Sequence, residues 1–377
     1  MRNEVKSTSG GKIVNSKIKK IAIDISPTID GNAIRGVGYY TDHLVKALKK
    51  EVSSNPDYKN WTIDLIENCK LKIENYDLIH YPYFDPFKLT LPKTTRIPTV
   101  VTVHDLIPRQ FKSHFPVGFK GYLKWLIQKN KLKSVSQIIT VSHFSKKIIN
   151  HIVGYPISKI QVTYEGADSS FKKITDQKIL DQVKNKYNLP KKFVLYVGDI
   201  NWNKNIPNLV KACLKNKYPL VIVGSAATKK DVPAHPWTKD LLWLQSKAQK
   251  LQRSNALIFT GFVPDEDLPV IYNLATIYCQ PSFAEGFGLP LVQAMQSGTP
   301  VVYSRDTCLP EIMGEVGLNF NPRSVSDITS TLKKAWNDDK LRLAQSILGL
   351  KRAKMFNWKS TAKQTLLVYK HLIGYEK

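Results

Sequence analysis

The sequence predicts an α/β protein made of two doubly wound, Rossmann-like domains. Three observations predict it. The chain has 377 residues, 42% of them apolar, which is too many for one ordinary core and enough for two domains of about 170 residues each. Short apolar runs alternate with helical stretches, the pattern of parallel βαβ units. The alternation comes as two series, separated by YNLPKKF at residues 187–193, which reads as a linker.

The first series begins with KIAIDISP, a short apolar run that reads as a buried parallel strand. A loop rich in turn formers, TIDGNAIRGVGYY, follows it. Then TDHLVKALKK sets Leu44, Val45 and Leu48 on one helical face, with lysines in its last turn. WTIDLI, DLIHYP, TVVTVHD and QIITVS are the further strands. The second series runs FVLYVGDI, PLVIVGS, ALIFTG, ATIYCQPS and TPVVYS, with helical stretches such as PNLVKACLKN and WTKDLLWLQSKAQKL between them. WKSTAKQTLLVYKHLIG reads as one amphipathic terminal helix.

Composition narrows the class. Glycine and proline are not inflated, so most of the chain folds. No apolar run approaches the roughly 18–20 residues of a spanning helix. Residues 1–18 are polar and basic without an apolar core, which suggests a disordered tail rather than a secretory signal. Cys69, Cys213, Cys279 and Cys308 lie far apart with no C-x-x-C pair. That argues against a zinc site or disulfide framework and favours a reducing, cytoplasmic setting. The formal charge of +26 fits plain solubility, an anionic membrane surface or nucleic acid, but no nucleic-acid motif accompanies it. Residues 109–147 hold nine Lys or Arg and no Asp or Glu. Inside this run, GFKGYLKWLIQKNKLKS spaces Phe119, Tyr122, Leu123, Leu126 and Ile127 at helical intervals among Lys120, Lys124, Lys129, Lys131 and Lys133. The expectation is a helix that packs those apolar residues on the core and turns a basic face outward, either merely solvated or resting on anionic lipid.

The most informative segment is QPSFAEGFGLPLVQAMQSGTPVVYS at residues 280–304. A strand ends near Cys279, and the turn Glu285-Gly286-Phe287-Gly288 follows. Leu289 and Pro290 open a helix that stops at Gly298. Flexible glycines at a helix N-terminus leave backbone N–H groups and the positive end of the dipole free for phosphate. Glu285 would repel a phosphate, so its chemistry suits the hydroxyls of a sugar.

That segment resembles the E-x(7)-E region of the retaining glycosyltransferases of family 4 (group 1), which have the GT-B fold, two Rossmann-like domains facing across a cleft. Glu285 matches the first glutamate, and Gln293 stands where the second belongs, keeping an acceptor oxygen for the nucleotide ribose but losing the charge. The similarity runs from about residue 19 to 375 through RGVGYYTDHLVKAL, VTVHDLIP, ITVSHFSKKII, VTYEGAD, VLYVGDINWNKNIPNLVKA, FTGFVPDEDLPVIYNLATIYCQPS and LPEIMGEVGLNFNP. It implies an acceptor-side domain over residues 19–188, a donor-side domain over 189–357, and a helix over 358–377 that returns to the first domain.

The resemblance also assigns roles. His104 and Glu285 are the catalytic candidates, His104 lying against the donor sugar and the bond that breaks. Gly36, Gly38, Lys204, Gly286, Phe287, Gly288, Leu289 and Gln293 are the donor-binding candidates, with Arg35 a weaker one. Gly36 and Gly38 would bring loop backbone to the diphosphate, and Lys204 would contact it directly. Asp199 stands where the family often has a phosphate-binding cation. Asp105 and Arg109 are acceptor-side candidates, and Glu311 is expected to play a structural part, capping or holding its loop. No metal-ligand cluster and no D-x-D after a strand appear, so the expectation is metal-independent transfer without a cofactor. A nucleoside-diphosphate hexose, with GDP-mannose the candidate because VTVHDLIP resembles mannosyl- and rhamnosyl-type members, would pass to a glycan or lipid-linked acceptor in cell-surface polysaccharide or glycolipid synthesis. The setting would be cytoplasmic or on the inner face of the cell membrane. The alternatives are a catalytically impaired GT-B-like subunit and a sugar-nucleotide epimerase.

Overall fold

The computed structural model describes residues 18–29, 36–67, 73–91 and 96–374. The expected tail, apart from Ile18, lies outside these residues, as do Arg35 and Cys69. Among the described residues there are two parallel sheets. The first contains β1 (Lys19–Asp24), β2 (Trp61–Ile66), β3 (Leu78–Tyr81), β4 (Thr99–Thr102), β5 (Gln137–Thr140) and β6 (Ile160–Val162) in the order β2-β1-β3-β4-β5-β6. The second contains β7 (Val194–Val197), β8 (Leu220–Val223), β9 (Leu257–Gly261), β10 (Ile277–Gln280), β11 (Val301–Ser304) and β12 (Leu318–Phe320) in the order β12-β11-β10-β7-β8-β9. Every apolar run of the two series is a strand. β6 and β12 lie within segments that carried no separate strand signal, because three residues are too short to show a period.

Helices cover both faces, so the inner strands are buried on both sides and read as continuous apolar runs. Each sheet reverses direction of growth at one point, between β1 and β3 and between β7 and β10. In such sheets ligands sit outside the carboxyl ends of the strands at that point.

The chain passes between the halves earlier than expected. Helix Gln177–Lys186 packs on helix Leu268–Leu274 of the second half. Asn273 donates to the carbonyl of Lys172 at 2.8 Å, and Lys186 and Tyr187 both donate to Asp267. The stretch at 187–193 is therefore anchored within the second half, and the crossing lies near residue 170. Sequence polarity marked a loop there but could not say which half the preceding helix joins.

The terminal helix Trp358–Ile373 returns to the first half and packs on helix Gly36–Ser54. Tyr369 sits 2.6 Å from Nδ1 of the buried His80 in β3, whose Nε2 is 2.8 Å from Thr102 Oγ1 in β4.

Helix Gly118–Lys133 forms where expected, but with the opposite face inward. Trp125, Gln128 and Leu132 are buried, whereas Phe119 is 75% exposed and Tyr122, Leu123, Leu126 and Ile127 also face outward. Periodicity states which side chains share a face. Here both faces are apolar, and the core took the one carrying Trp125, clamped by the Arg109 guanidinium 4.8 Å above its ring.

Candidate active site

Lys204 ends a short turn, Trp202–Lys204, after β7, and Glu285 follows β10. Because β7 and β10 are neighbours at the point of reversal, their carboxyl ends bring these two residues together. Lys204 Nζ lies 2.8 Å from each carboxylate oxygen of Glu285. Polar side chains fix the meeting. Asn203 donates to the carbonyl of Ala284, and Asn205 donates to the carbonyls of Pro281 and Pro322. Gln280 and Ser282 each donate to Glu285 Oε1 at 2.7 Å. Burial pulls the Lys204 ammonium down, but Glu285, with Asp199 and Asp105, outweighs it and holds the group above the ordinary lysine value. Asp199 itself is exposed.

The first half supplies the opposite wall. His104 and Asp105 follow β4. Gly286 lies so close to them that a Cβ there would meet the His104 carbonyl oxygen at 2.6 Å and Asp105 Cβ at 3.1 Å. The Gly286 carbonyl accepts from Ser142 Oγ at 2.7 Å. Catalytic candidates 181 positions apart thus occupy touching segments. His104 Nδ1 faces the Glu165 carboxylate at 3.1 Å, Nε2 faces the Pro82 carbonyl at 3.1 Å, and the Tyr40 ring stands edge-on at 4.5 Å. Burial raises the Asp105 carboxyl, helped by Glu285, against the downward pull of the Ile107 N–H, His104 and Lys204.

Behind Glu285, Phe287 is buried and Gly288 caps helix Leu289–Gln296 at φ +92°, a conformation in which a Cβ is strained. Gln293 is buried in that helix, and its carbonyl oxygen accepts from Tyr272 at 3.0 Å. The acceptor oxygen expected to serve the ribose thus also takes the Tyr272 hydroxyl. Glu311 accepts from the backbone N–H groups of His143 and Phe144, capping helix His143–Val153 in the opposite half.

Gly36 and Gly38 are placed differently from the expectation. Both lie in the first turn of helix Gly36–Ser54 rather than in a loop. Arg109 is not in the His104–Glu285 cluster. It is buried over Trp125, with Phe87 and Tyr122 about it. Glu165, Gln280, Ser282, Asn203 and Asn205 escaped the sequence reading. Nothing in their spacing marks them, though Asn on both sides of Lys204 was a visible hint. Among the described residues no cluster of His, Cys, Asp or Glu suits a metal ion, and no helix is long and apolar enough to cross a membrane.

Known proteins resemble the chain along most of its length. Residues 39–171 match the model described as Glycosyltransferase Family 4, and residues 177–349 the model described as Glycosyl transferases group 1. O-antigen chain mannosyltransferase B of Escherichia coli is 33% identical over 280 residues, covering 72% of this chain and 70% of that protein. The serotype-specific mannosyltransferase WbdA of E. coli is 29% identical over 289 residues, 74% of this chain, which spans about a third of WbdA's length (34%). Among solved structures, sucrose-phosphate synthase from Thermosynechococcus elongatus superposes with a TM-score of 0.74 at 19% identity, over 94% of this chain and 99% of that one. Anabaena Alr3699/HepE in complex with UDP-glucose does so at 0.71 and 17%, over 94% and 100%.

Proposed function

We propose, because this chain belongs to glycosyltransferase family 4 and has the GT-B fold, that it is a retaining enzyme moving mannose from GDP-mannose to a glycan or lipid-linked acceptor in surface polysaccharide synthesis. The observation that carries the site assignment is the convergence of Lys204, Glu285 and His104 where β7, β10 and β4 end. Similarity to mannosyltransferases supports the choice of sugar. In this reading residues 19 to about 170 serve the acceptor side, the chain from there to 357 the donor side, and helix Trp358–Ile373 ties the two.

The chemistry follows from the charges. As the bond from the anomeric carbon to the diphosphate breaks, negative charge builds on the departing oxygen and positive character on the ring. Lys204 and the N-terminus of helix Leu289–Gln296, reached past Gly286, Phe287, Gly288 and Leu289, meet the first. Glu285 and His104 grip sugar hydroxyls at the second. Gln293 serves the ribose, and the helical turn at Gly36 and Gly38 lets backbone approach the diphosphate. Asp105 sets the loop that receives the acceptor. The acceptor oxygen bonds the anomeric carbon on the face the diphosphate leaves, and its proton passes to the departing phosphate oxygen. Cationic side chains and backbone donors do the neutralising, so no metal or cofactor takes part. Work is placed at an anionic membrane surface on the cytoplasmic side, where a lipid-linked acceptor would be found.

A panel of GDP, UDP, ADP and dTDP sugars tests the reading. GDP-mannose should raise the melting temperature most, since a ligand bound only by the folded state stabilises it, and should release GDP when acceptor is added. Preference for another nucleotide would overturn the donor assignment. Inversion at the anomeric carbon of the product would overturn the retaining mechanism.

A further inference from the structure

Polar side chains from four elements form a row through the sealed core of the first half. Tyr369 of the terminal helix, His80 of β3, Thr102 of β4 and Tyr40 of helix Gly36–Ser54 are all fully buried. The Tyr369 hydroxyl is 2.6 Å from His80 Nδ1, His80 Nε2 is 2.8 Å from Thr102 Oγ1, and Thr102 Oγ1 is 3.4 Å from the Tyr40 hydroxyl. The Tyr40 ring in turn stands perpendicular to the His104 imidazole, with 4.5 Å between ring centres. The row thus runs from the last helix of the chain to the wall of the cleft.

Proton counting gives the row a direction. Burial holds His80 at about 3, so its ring is neutral and has one N–H and one bare nitrogen. A proton on Nδ1 would donate to Tyr369, and the Tyr369 proton would then find no acceptor among the described residues. With the proton on Nε2, Tyr369 donates to Nδ1, Nε2 donates to Thr102, and Thr102 donates to Tyr40. The Tyr40 proton is left for Thr163, whose buried hydroxyl acts on that phenol and has no other partner among the described residues.

Stability alone is a poor reason for such a row. Apolar groups of the same shape can fill a core equally well, whereas a satisfied polar row fixes the orientation of its members. His104 needs that orientation. Its two ring nitrogens face Glu165 and the Pro82 carbonyl. Those contacts define an axis about which the imidazole can still rock, and a perpendicular ring beside it stops the rocking.

We propose that Tyr369, His80, Thr102 and Tyr40 act together as positioning residues, holding the Tyr40 ring against His104 so that the imidazole keeps one tilt in the cleft. This rests on the reading of His104 as a working group of the cleft. The helix that follows the second half in sequence thereby helps to shape a site in the first.

Tyr369→Phe and Thr102→Val each delete one hydroxyl and keep the shape of the side chain. In the full chain, kcat per folded molecule, the donor KM and the ring resonances of His104, assigned by their loss in His104→Ala, test the proposal. Each variant should lower kcat about three- to tenfold, the size of one neutral hydrogen bond, leave the donor KM within about twofold, and shift the His104 resonances. Thr102→Ser keeps the hydroxyl and should stay near wild type in all three. The double variant Tyr369→Phe/Thr102→Val should be no slower than the poorer single one, because one broken link already frees Tyr40. A lower melting temperature with kcat and His104 resonances unchanged reduces the row to core packing and overturns the proposal. So do losses in kcat that multiply in the double variant. Wild-type transfer by His104→Ala overturns the site reading instead, and the His104 resonances of Tyr369→Phe then still decide whether the row holds the ring.

Discussion

Lys204 and Glu285 hold each other through both carboxylate oxygens, each 2.8 Å from the ammonium. A phosphate drawn to Lys204 competes with that carboxylate, and a sugar drawn to Glu285 competes with that ammonium. Donor binding must therefore open or share the pair. Lys204→Ala should weaken nucleoside diphosphate binding roughly 10–100-fold, the worth of a charge-assisted hydrogen bond. It should also destabilise the fold by about 3 kcal/mol, because it leaves the buried Glu285 carboxylate without its cation. Adding Glu285→Gln should restore stability but not affinity. Denaturant unfolding and calorimetric titration of the three variants measure both, and additive stability losses would deny the coupling.

Glu165 should act through His104, whose ring it orients. Glu165→Gln keeps the shape but removes the charged acceptor, and should lower kcat by about tenfold while leaving the KM for donor within about twofold. His104→Ala should cost more, since its contact strengthens as the bond breaks. Equal rises in KM for the two variants, with kcat unchanged, would make both residues mere binding contacts.

Gly286→Ala pushes a methyl group against the His104 carbonyl. The methyl meets a backbone oxygen and has no rotamer of its own, so no side-chain rotation relieves the clash. Transfer should fall by about a hundredfold or more, because small misplacements of reacting groups are this costly. Binding of the bare nucleotide, whose side-chain contacts Lys204 and Gln293 belong to the second half, should change little. Wild-type transfer in Gly286→Ala would show that the segments part during the reaction.

His80 supplies an acid sensitivity. Burial, with His104 nearby, holds its value at about 3, below the ordinary 6.5. The unfolded chain therefore takes up a proton that the folded chain refuses. Stability from this group is complete above about pH 6.5 and falls as the pH drops towards 3, by up to about 1.4 kcal/mol per pH unit. His80→Gln should flatten that part of the stability curve, measured by denaturant midpoints across the range.

Gln293→Glu restores a carboxylate beside Tyr272, whose hydroxyl can donate to either side chain. Affinity for the nucleoside diphosphate should rise severalfold, because ribose hydroxyls donate more strongly to a charged acceptor. Titration with GDP and with the ribose-lacking pyrophosphate separates the ribose contribution from the phosphate one. An equal gain for both ligands would place the effect elsewhere.

The strands were legible because each is an apolar run of ordinary length, and Glu285 was legible because a carboxylate beside a phosphate-suited helix terminus needs a chemical reason. Asn203 and Asn205, which brace the Glu285 loop, were not legible as braces. Their partners are carbonyls about 80 to 120 positions away, and a carbonyl has no sequence signature. The inward face of helix Gly118–Lys133 was misassigned for a related reason. Two apolar faces compete there, and the winner depends on Arg109 and Phe87, which come from other elements. Glu311 was expected to cap or hold its loop, and it does cap, but the helix it caps lies across the cleft, a relationship that only the packing of the halves creates.

The contact between His80 and Tyr369 spans 289 positions, and it constrains the order in which the molecule can be made. A ribosome delivers all six strands of the first sheet before it has begun the second, yet helix Trp358–Ile373 is synthesised after every strand of both. Until that helix arrives, the buried His80 lacks its phenol and helix Gly36–Ser54 leaves an apolar face in water. The second half can complete its own strands first. The half that emerges first is thus the last to be finished, and the interval between is when the nascent chain most needs a chaperone.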